Sequence, residues 1–477
     1  MANSYDEVLY EGRPFVQTHP DRLATVGRLF GMQPAPIDRC RVLELGCGDG
    51  GNLIPMAYTL PGSEFVGIDA GARGIAIGQK TAAAMGLANL HLRHLDMLDT
   101  TVELGRFDYI ISHGVYSWVP PAVQDRLLEI GCENLNPQGI VYVSYSAYPG
   151  SHTKIMLAEM MKYHARRFED PEQQIEQARA LVLFLSTART NPDAYTALLK
   201  EEVETLARRH PRTIYHDELG EYLEPLYFRE FAERASRRGL QYLGEANFFE
   251  MNDHFSDQPE VAAMLQSLAR DQIDREQYMD FVKCRRFRQT LLCHAEVSLN
   301  RQVESAKMRE FRIRIGGDAD RILMPTEHPA AKAAVAVLRE ESPAVLAFEA
   351  LLAAVRTRLG TAPGDDRLLA DILLACYARG IVQLYSHPPH FTMRPGELPR
   401  ASALARRQAA GDVYVTSLSH EVVEIEDELG RRLIRLLDGE RSRDRILEEM
   451  RAAAPDAEME HVERGIEYLA RLALLEQ

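Results

Sequence analysis

The sequence predicts an α/β fold, in which a doubly wound, mostly parallel sheet carries a helical insertion and is followed by helical modules. Apolar runs alternate with helical stretches through the first 150 residues. A glycine-rich segment at residues 44–52 directly follows the first of these runs, as expected where a buried strand ends. The last third of the chain twice repeats helices followed by a short apolar strand, the order typical of winged-helix modules.

The strands of the sheet are assigned from apolar segments separated by polar, helix-forming sequence. Gly86 suits a left-handed cap for the helix between the second and third strands. After a long interruption, we expect the sheet to resume with a helix at 227–236, a strand at 239–243 and a last strand at 286–294. The five parallel strands are expected at residues 41–45, 65–69, 90–95, 107–112 and 140–145.

Polar helical sequence at residues 151–210 interrupts the sheet. Asp170 followed by Pro171 marks a helix start there, with an N-cap and a proline at the first helical position. We interpret this segment as an insertion and hypothesise that it mediates formation of a homodimer. The predicted division of the chain is 1–150 for a nucleotide-binding core, 151–210 for the helical insertion, 211–300 for a middle region that partly completes the sheet, 301–400 for a helical winged-helix-like domain and 401–477 for a C-terminal winged-helix domain.

The glycine-rich segment predicts a nucleotide-binding loop. Gly46, Gly48 and Gly50 have no Cβ, so the backbone there can adopt positive φ and approach a ligand closely. The helix that follows presents free N–H groups to the same ligand. The spacing also satisfies the dinucleotide fingerprint, which is weak evidence by itself. The glycines therefore predict a nucleotide without deciding which one.

Acidic residues favour S-adenosylmethionine (SAM). Glu44 and Asp49 would repel a pyrophosphate, whereas they attract the sulfonium and ammonium groups of SAM. Asp69, at the end of the second strand, is placed to accept hydrogen bonds from ribose hydroxyls, a feature that NAD enzymes share. Asp96 suits the adenine amino group, and Met97 can lie against the ring. The alternatives are that these acids cap turns or helices, that Met97 is ordinary core, or that the nucleotide is a nicotinamide cofactor.

This pattern resembles the class I SAM-dependent methyltransferases, which have a Rossmann-like sheet. Their glycine loop, ribose acid and adenine acid correspond here to residues 46–50, Asp69 and Asp96. The resemblance makes residues 1–150 a SAM-binding, Rossmann-like core. The residues expected to contact SAM are Glu44, Gly46, Cys47, Gly48, Gly50, Asn52, Asp69, Ala70, Asp96, Met97 and His113.

Further stretches resemble a narrower group, the bacterial methyltransferases with a methyltransferase regulatory domain, whose best-known members are lysine methyltransferases of outer-membrane proteins. Members of this group often have Asn and Pro-Gly-Trp after the fifth strand, whereas this chain has Ser-Ala-Tyr-Pro-Gly-Ser-His at residues 146–152. That departure lies beside the expected acceptor pocket and leaves the acceptor open. The matching stretches are 4–10 with 17–23, 113–120, and 215–219 with 225–228, and the group's winged-helix domain corresponds to residues 400–477.

Aromatic residues at the ends of the fourth and fifth strands are candidates for positioning an amine acceptor. Tyr116 and Trp118, the only Trp, follow the fourth strand, and Tyr145 and Tyr148 end the fifth. Cation–π attraction would hold an ammonium group against such rings. The alternative is that these rings are ordinary core. His113 is expected either to make a loop-capping hydrogen bond, to contact SAM, or to accept a proton.

The N-terminal segment precedes the sheet and carries three aromatic residues, Tyr5, Tyr10 and Phe15. We expect it either to fold over the bound cofactor as a lid or to form a simple packing arm. The sequence favours neither interpretation.

The expected activity is N-methylation of lysine side chains in a protein or peptide. No Asp or Asn followed by Pro-Pro-aromatic occurs after the fourth strand, so the pattern associated with planar nitrogen acceptors is missing. An aliphatic amine therefore remains the favoured acceptor, and oxygen acceptors stay open. Two alternatives are a small-molecule or natural-product methyltransferase on the same scaffold and a non-catalytic SAM-binding regulator.

Composition limits the partners. The 477-residue chain has a formal net charge of −15, which disfavours a nucleic-acid surface. Residues 411–477 contain nine Arg and no Lys against seventeen acidic residues, so the winged-helix assignment does not predict DNA binding. The sequence shows no secretory signal and no membrane-spanning run, and we expect a soluble, cytoplasmic protein without membrane partners. Its six cysteines form no C-x-x-C pair, which predicts neither disulfides nor a metal site.

Overall fold

A seven-stranded sheet forms the centre of the molecule. The structure is a computed structural model, which describes residues 9–10, 12–252, 259–317, 326–360 and 366–476. The first five strands run parallel, and the seventh lies antiparallel between the fifth and the sixth, in the order β3-β2-β1-β4-β5-β7-β6. The predicted α/β class is thereby confirmed. The strands are β1 (Arg41–Leu45), β2 (Glu64–Asp69), β3 (Leu90–His94), β4 (Phe107–Ser112), β5 (Leu135–Ser146), β6 (Leu240–Glu245) and β7 (Phe287–His294).

Alternate residues of each central strand enter cores on opposite faces of the sheet, because side chains alternate along a strand. Val42 belongs to the core on one face and Leu43 to the core on the other. The first face is covered by helices near the N-terminus, and the second by helices that include Leu127 and Phe231. The helices that flank the sheet are α1 (Pro20–Leu29), α2 (Leu53–Thr59), α3 (Ala72–Ala84), α4 (Pro121–Glu133), α9 (Phe228–Arg237), α10 (Pro259–Leu268) and α11 (Gln272–Lys283).

The inserted helices form a unit with a core of its own. Asp170 caps the second of them by accepting a hydrogen bond from the Gln173 amide at 2.9 Å, and Pro171 occupies the first turn, as predicted. Ile214 joins the same core, so a fourth short helix extends the unit beyond residue 210. These helices are α5 (Ser151–Ala165), α6 (Pro171–Ala188), α7 (Ala194–Arg208) and α8 (Pro211–Asp217).

The region after residue 300 packs directly on the central sheet. Leu338 and Leu384 share one continuous core with Val42, and the Phe248 and Tyr377 rings stack with centroids 5.0 Å apart. This region therefore continues the core of the sheet. It contains a three-stranded antiparallel sheet in the order β10-β8-β9 and three helices. Its elements are β8 (Arg312–Ile315), α12 (Pro329–Glu340), β9 (Leu346–Ala347), α13 (Phe348–Leu359), α14 (Asp366–Tyr377) and β10 (Val382–Tyr385).

The C-terminal region has a separate core that includes Leu433 and Ile466. The second repeat of helices followed by a short apolar strand predicts a strand at residues 472–476, but the structure forms only an isolated bridge there, from Leu475 to Ala401. The elements are α15 (Ala403–Gln408), the hairpin strands β11 (Tyr414–Thr416) and β12 (Val422–Glu424), and the helices α16 (Glu428–Leu436), α17 (Arg443–Arg451) and α18 (Met459–Arg471). Within the described ranges, no helix has the length and apolar character needed to cross a membrane.

Candidate active site

The glycine loop lies at the carboxyl ends of β1, β2 and β4. Gly46, Gly48 and Gly50 all have positive φ, at 77°, 56° and 76°, which side-chain-bearing residues adopt only with strain. A Cβ on Gly46 would lie 2.5 Å from Cγ2 of Val115, in the segment after β4. A Cβ on Gly48 would meet no atom within 4 Å among the described residues. The loop is therefore tightly packed at Gly46 and open at Gly48, where a ligand can approach the backbone.

Glu44 is a buried carboxyl group beneath this loop, with 4% of its surface exposed. Its Oε1 accepts a hydrogen bond from Nδ2 of Asn52 at 2.8 Å. Its Oε2 is buried without a hydrogen-bond partner among the described residues. Burial raises the pKa of this carboxyl to about 8, the Asn52 bond opposes the shift, and the nearby carboxylates of Asp69 and Asp49 add to it. A buried acid with a free oxygen fits the ammonium group of SAM, because such a donor would satisfy the orphaned atom.

Asp69 and Asp96 both make the capping hydrogen bonds that were the alternative to ligand contacts. The two carboxylate oxygens of Asp69 accept from the amides of Gly48 at 2.9 Å and Gly71 at 2.7 Å. Oδ1 of Asp96 accepts from the Leu98 amide at 2.9 Å. A carboxylate oxygen can accept more than one hydrogen bond, so these capping contacts orient the acids and are compatible with ligand contacts. Contacts to ribose and adenine stay predictions.

The remaining predicted cofactor residues lie close to the loop. Met97 is buried, and its Cε lies 3.7 Å from the Cβ position of Gly46. Cys47 is buried as well, and burial holds the pKa of its thiol well above its usual value, so the thiol stays protonated and unreactive. The carbonyl of Ala70 lies 3.1 Å from Nε2 of His94.

The N-terminal strap, residues 12–18, crosses the glycine loop. The amide of Gly12 donates to Oδ1 of Asp49 at 3.1 Å, and the amide of Phe15 donates to Oδ1 of Asn52 at 3.0 Å. Tyr10, just before the strap, lies with its ring edge-on to His216, 5.9 Å between centroids. This placement is compatible with both the lid and the packing arm. Tyr5 lies outside the described residues.

His113 sits between the strap and the sheet. Its ring centroid is 4.0 Å from that of Phe15, and Nδ1 lies 2.8 Å from the hydroxyl of Tyr142. Burial lowers the pKa of the imidazole to about 4. A group with so low a pKa is a weak proton acceptor at neutral pH, which favours a loop or cofactor contact over the role of base.

The four aromatic candidates fall into two pairs. Tyr116 and Tyr145 have no exposed surface and pack on Phe231, with centroids 5.3 Å and 4.2 Å from it. The structure thus places both in the core, where they are not exposed to an acceptor. Trp118 and Tyr148 are only partly buried. Tyr148 stacks on His152 at 4.3 Å, whereas Trp118 contacts the C-terminal end of α8.

Charged residues that the sequence did not single out surround Trp118. Its indole Nε1 donates to the carbonyl of Asp217 at 3.3 Å. Nζ of Lys154 lies 4.9 Å from the Trp118 ring centroid and 3.5 Å from Oε2 of Glu218, which also pairs with Arg209. Burial raises the pKa of the Asp217 carboxyl, while Lys154 and Arg209 oppose that shift. The resemblance at residues 215–219 was the only signal in the sequence that pointed to this part of the site.

Comparison with known proteins decides the family. Residues 37–207 match a methyltransferase domain, residues 210–294 a predicted methyltransferase regulatory domain, and residues 397–473 a PKMT C-terminal winged helix domain. The uncharacterised protein RP789 of Rickettsia prowazekii is 30% identical over 98% of this chain and 88% of its own length. The chain belongs to the class I SAM-dependent methyltransferases with a methyltransferase regulatory domain.

Solved structures agree over the full length. PKMT2 of Rickettsia typhi in complex with AdoHcy is 28% identical, covers 98% of this chain and 99% of its own, and superposes with a TM-score of 0.87. A second structure of PKMT2 gives a TM-score of 0.86 at 27% identity, over 98% of this chain and all of the other. The methyltransferase therefore uses SAM, and the predicted nucleotide and winged-helix domain are confirmed. The nicotinamide alternative is set aside.

We expect the site of this methyltransferase to act by positioning donor and acceptor. SAM supplies an activated methyl group whose leaving thioether departs neutral, so no acid is required. We expect Glu44 to pair with a cationic group of SAM and the glycines to admit the ligand close to the backbone, beneath the strap that crosses the loop. No group of three or more potential metal ligands occurs in the part of the chain that the structure describes.

SAM is expected to bind more tightly as the pH rises from 6 towards 8. The pKa of Glu44 is about 8 without ligand, so below it the carboxyl must lose a proton to pair with the ligand's ammonium. The need to remove this proton lowers the affinity for SAM by up to about tenfold for each pH unit below the pKa of Glu44. Calorimetric titration in buffers of different ionisation enthalpy would measure the released proton.

The matched variant is Glu44→Gln, which keeps the hydrogen bond to Asn52 but cannot ionise. The ammonium of SAM titrates at about 8 as well, and it does so equally with both proteins. The number of protons released when SAM binds should therefore be smaller for Glu44→Gln than for the native protein, because the variant has no carboxyl proton to lose at this position. Equal release from both proteins would refute this role for the carboxyl.

Proposed function

We propose that this methyltransferase transfers the methyl group of SAM to the side-chain amine of lysine in a protein or peptide. The observation that carries the proposal is the setting of Trp118, whose ring already faces an alkylammonium group, that of Lys154, at 4.9 Å from its centroid. Glu218 pairs with the same ammonium, and Asp217 lies beside it in the chain. These groups form what we call the amine subsite: Trp118, Lys154, Asp217 and Glu218.

The amine subsite is close to the cofactor loop. Trp118 ends a short helical turn in which its amide donates to the carbonyl of Val115 at 2.8 Å. Val115 in turn packs against the backbone of Gly46. Trp118 is therefore one turn away from the residue that touches the glycine loop. An amine held on the indole face would therefore lie near the glycine loop.

The charges of the subsite suit an amine that must react in its neutral form. Asp217 and Glu218 attract an incoming ammonium, whereas Lys154 and Arg209 disfavour retention of its proton. Burial raises the pKa of the Asp217 carboxyl, which brings it closer to that of a useful proton acceptor. We propose that Asp217 receives the acceptor's proton, directly or through water, before the methyl group is transferred.

The similarity to PKMT2 supports a protein substrate, since it extends over nearly the whole of both chains. PKMT abbreviates protein lysine methyltransferase, and the winged-helix match carries the same name. The runner-up is a small-molecule or natural-product methyltransferase on this scaffold, favoured by the Ser-His sequence at residues 151–152, where members of the narrower group often have Trp.

We also propose that the inserted helices mediate a homodimer and that the protein is cytoplasmic, without nucleic-acid partners. Tyr163, Leu183 and Phe184 are large apolar side chains exposed on α5 and α6, at 57%, 53% and 62%. Their burial between two copies would remove this apolar surface from water. A monomeric mass in light scattering would contradict the dimer.

Isotopic labelling would test the function. We expect that incubation with methyl-labelled SAM and a heat-treated proteome of the host places label on lysine side chains, identified by peptide mass spectrometry. Asp69→Ala should abolish the label, because Asp69 holds the Gly48 amide and lies at the loop.

Other outcomes separate the alternatives. Label confined to the small-molecule fraction would support the runner-up. Measurable SAM binding with no label in either fraction would contradict catalysis on these acceptors and favour a SAM-binding regulator.

A further inference from the structure

A hairpin of the C-terminal domain reaches into the cofactor site. We call residues 414–424, which contain β11 and β12, the C-terminal hairpin. His420, near its tip, is 4% exposed, and its Nε2 lies 3.0 Å from Oδ1 of Asn52, 368 residues earlier in the chain. Asn52 directly precedes α2 and belongs to the predicted cofactor residues. The hairpin therefore contacts the glycine loop from the far end of the molecule.

The hydrogen bonds around Asn52 fix the direction of this contact. Its Nδ2 donates to Oε1 of Glu44 at 2.8 Å, so its Oδ1 points to the other side. That oxygen accepts from the amide of Phe15 at 3.0 Å and faces Nε2 of His420, which must carry the proton. Burial lowers the pKa of His420 to about 3, so the ring is a neutral donor. The result is a buried chain of hydrogen bonds from His420 through Asn52 to Glu44.

The same hairpin contacts the N-terminal strap. The guanidinium of Arg13 lies over the ring of Tyr414, 3.8 Å from its centroid. The ring of His420 lies 5.2 Å from that of His19, directly after the strap. Tyr414 thus contacts the N-terminal strap, and His420 contacts both His19 and Asn52 of the cofactor loop.

The hairpin presents His420 in a defined conformation. His420 has a positive φ of 61°, a region that side-chain-bearing residues adopt at a cost unless the surroundings impose it. The amide of His420 donates to the carbonyl of Ser417 at 3.0 Å, and the Glu421 amide donates to Oγ of Ser417 at 3.2 Å. This tight turn directs the imidazole inward, so the bond to Asn52 does not depend on a freely moving side chain.

We propose that His420 is a positioning residue for SAM, through which the C-terminal domain completes the cofactor site. The hairpin orients Asn52 and thereby Glu44, and it holds the strap over the loop. Because coupling between two binding events is reciprocal, SAM binding must in turn stabilise the docking of the C-terminal hairpin.

Affinity measurements on full-length variants test the first half of the proposal. We expect His420→Ala to raise the dissociation constant of SAM about tenfold, the effect of losing one buried hydrogen bond. His420→Gln can donate from its amide nitrogen and should stay within about threefold of the native protein. Val462→Ala serves as the control. Val462 lies buried in the core of the same domain, so the substitution lowers the stability of the domain without removing a contact to Asn52.

Two results would overturn the proposal. One is an unchanged dissociation constant in His420→Ala. The other is an equal loss of affinity in His420→Ala and Val462→Ala, which would show that any loss of stability in the domain has the same effect. In addition, Asn52→Ala combined with His420→Ala should bind SAM no more weakly than Asn52→Ala alone, because both act through one hydrogen bond.

Hydrogen exchange of the native protein tests the reciprocal half and needs no variant. SAM is expected to slow amide exchange in the C-terminal hairpin at residues 414–424. Helix α17, Arg443–Arg451, belongs to the same domain and should change less. Exchange in the hairpin that is unaffected by saturating SAM would overturn the coupling even if His420→Ala failed to fold.

Discussion

Arg288→Met is expected to lower the free energy of unfolding by about 3–5 kcal/mol, the cost of breaking a buried ion pair by removing one partner. Arg288 has no exposed side-chain surface and lies over Phe228, 3.8 Å from the ring centroid. Its guanidinium pairs with Glu245 at 2.5 Å, Asp280 at 2.8 Å and Glu276 at 3.1 Å. The substitution keeps most of the volume but leaves three buried carboxyl groups without their main counter-charge.

Equilibrium denaturation at several pH values would measure this loss. Burial already raises the pKa of Glu276 and Asp280, and Arg288 opposes the shift. Without Arg288 both groups should bind protons more readily when folded, so the variant should regain part of its stability as the pH falls. Arg237→Met is the matched control, since Arg237 is 74% exposed in its ion pair with Glu233 and should change stability by less than about 0.5 kcal/mol. A loss below about 1 kcal/mol in Arg288→Met would contradict the expectation.

Trp118→Ala is expected to reduce kcat/KM for a lysine-containing peptide by about 10- to 100-fold. A desolvated cation–π contact contributes about 2 kcal/mol, and loss of alignment adds to it. The dissociation constant of SAM should change by less than about twofold, since the described contact of Trp118 with the loop runs through Val115. Initial-rate kinetics with the substrate found by labelling, together with calorimetry for SAM, would separate the two effects.

Trp118→Phe is the control for this experiment, because it retains an aromatic face without the indole N–H that bonds to Asp217. It should recover most of the rate lost in Trp118→Ala. If both variants lost activity equally, the hydrogen bond to α8 rather than the ring face would be the important feature. Full activity in Trp118→Ala would refute the amine subsite.

The sheet and the cofactor loop were predictable because their signals are local. An apolar strand followed by glycines and acids has few alternative structures. The strands predicted for the seven-stranded sheet differ from the observed ones by only a few residues at their ends. The extent of the core was less predictable. The region after residue 300 was expected to form a separate domain, yet Leu338 and Leu384 share a core with β1, because an apolar face in sequence does not reveal its partner.

The aromatic candidates show the same limit within the site. Tyr116 and Trp118 are two residues apart, and the sequence predicts a substrate contact for either of them, since both are aromatic and both follow the fourth strand. In the structure Tyr116 packs on Phe231 in the core, whereas Trp118 faces Lys154 and Asp217. The direction of each side chain depends on a helical turn after β4 and on α9, which is more than a hundred residues away.

The sequence by itself therefore determined the fold class and the cofactor, SAM, because glycines that permit positive φ and carboxylates at strand ends are local signals. Only the tertiary structure decided which distant residues complete the site. Lys154 and Asp217 reach Trp118 from the inserted helices, and His420 reaches Asn52 across 368 positions. Such contacts follow from the packing of whole domains, and no local pattern of charge or hydrophobicity encodes them.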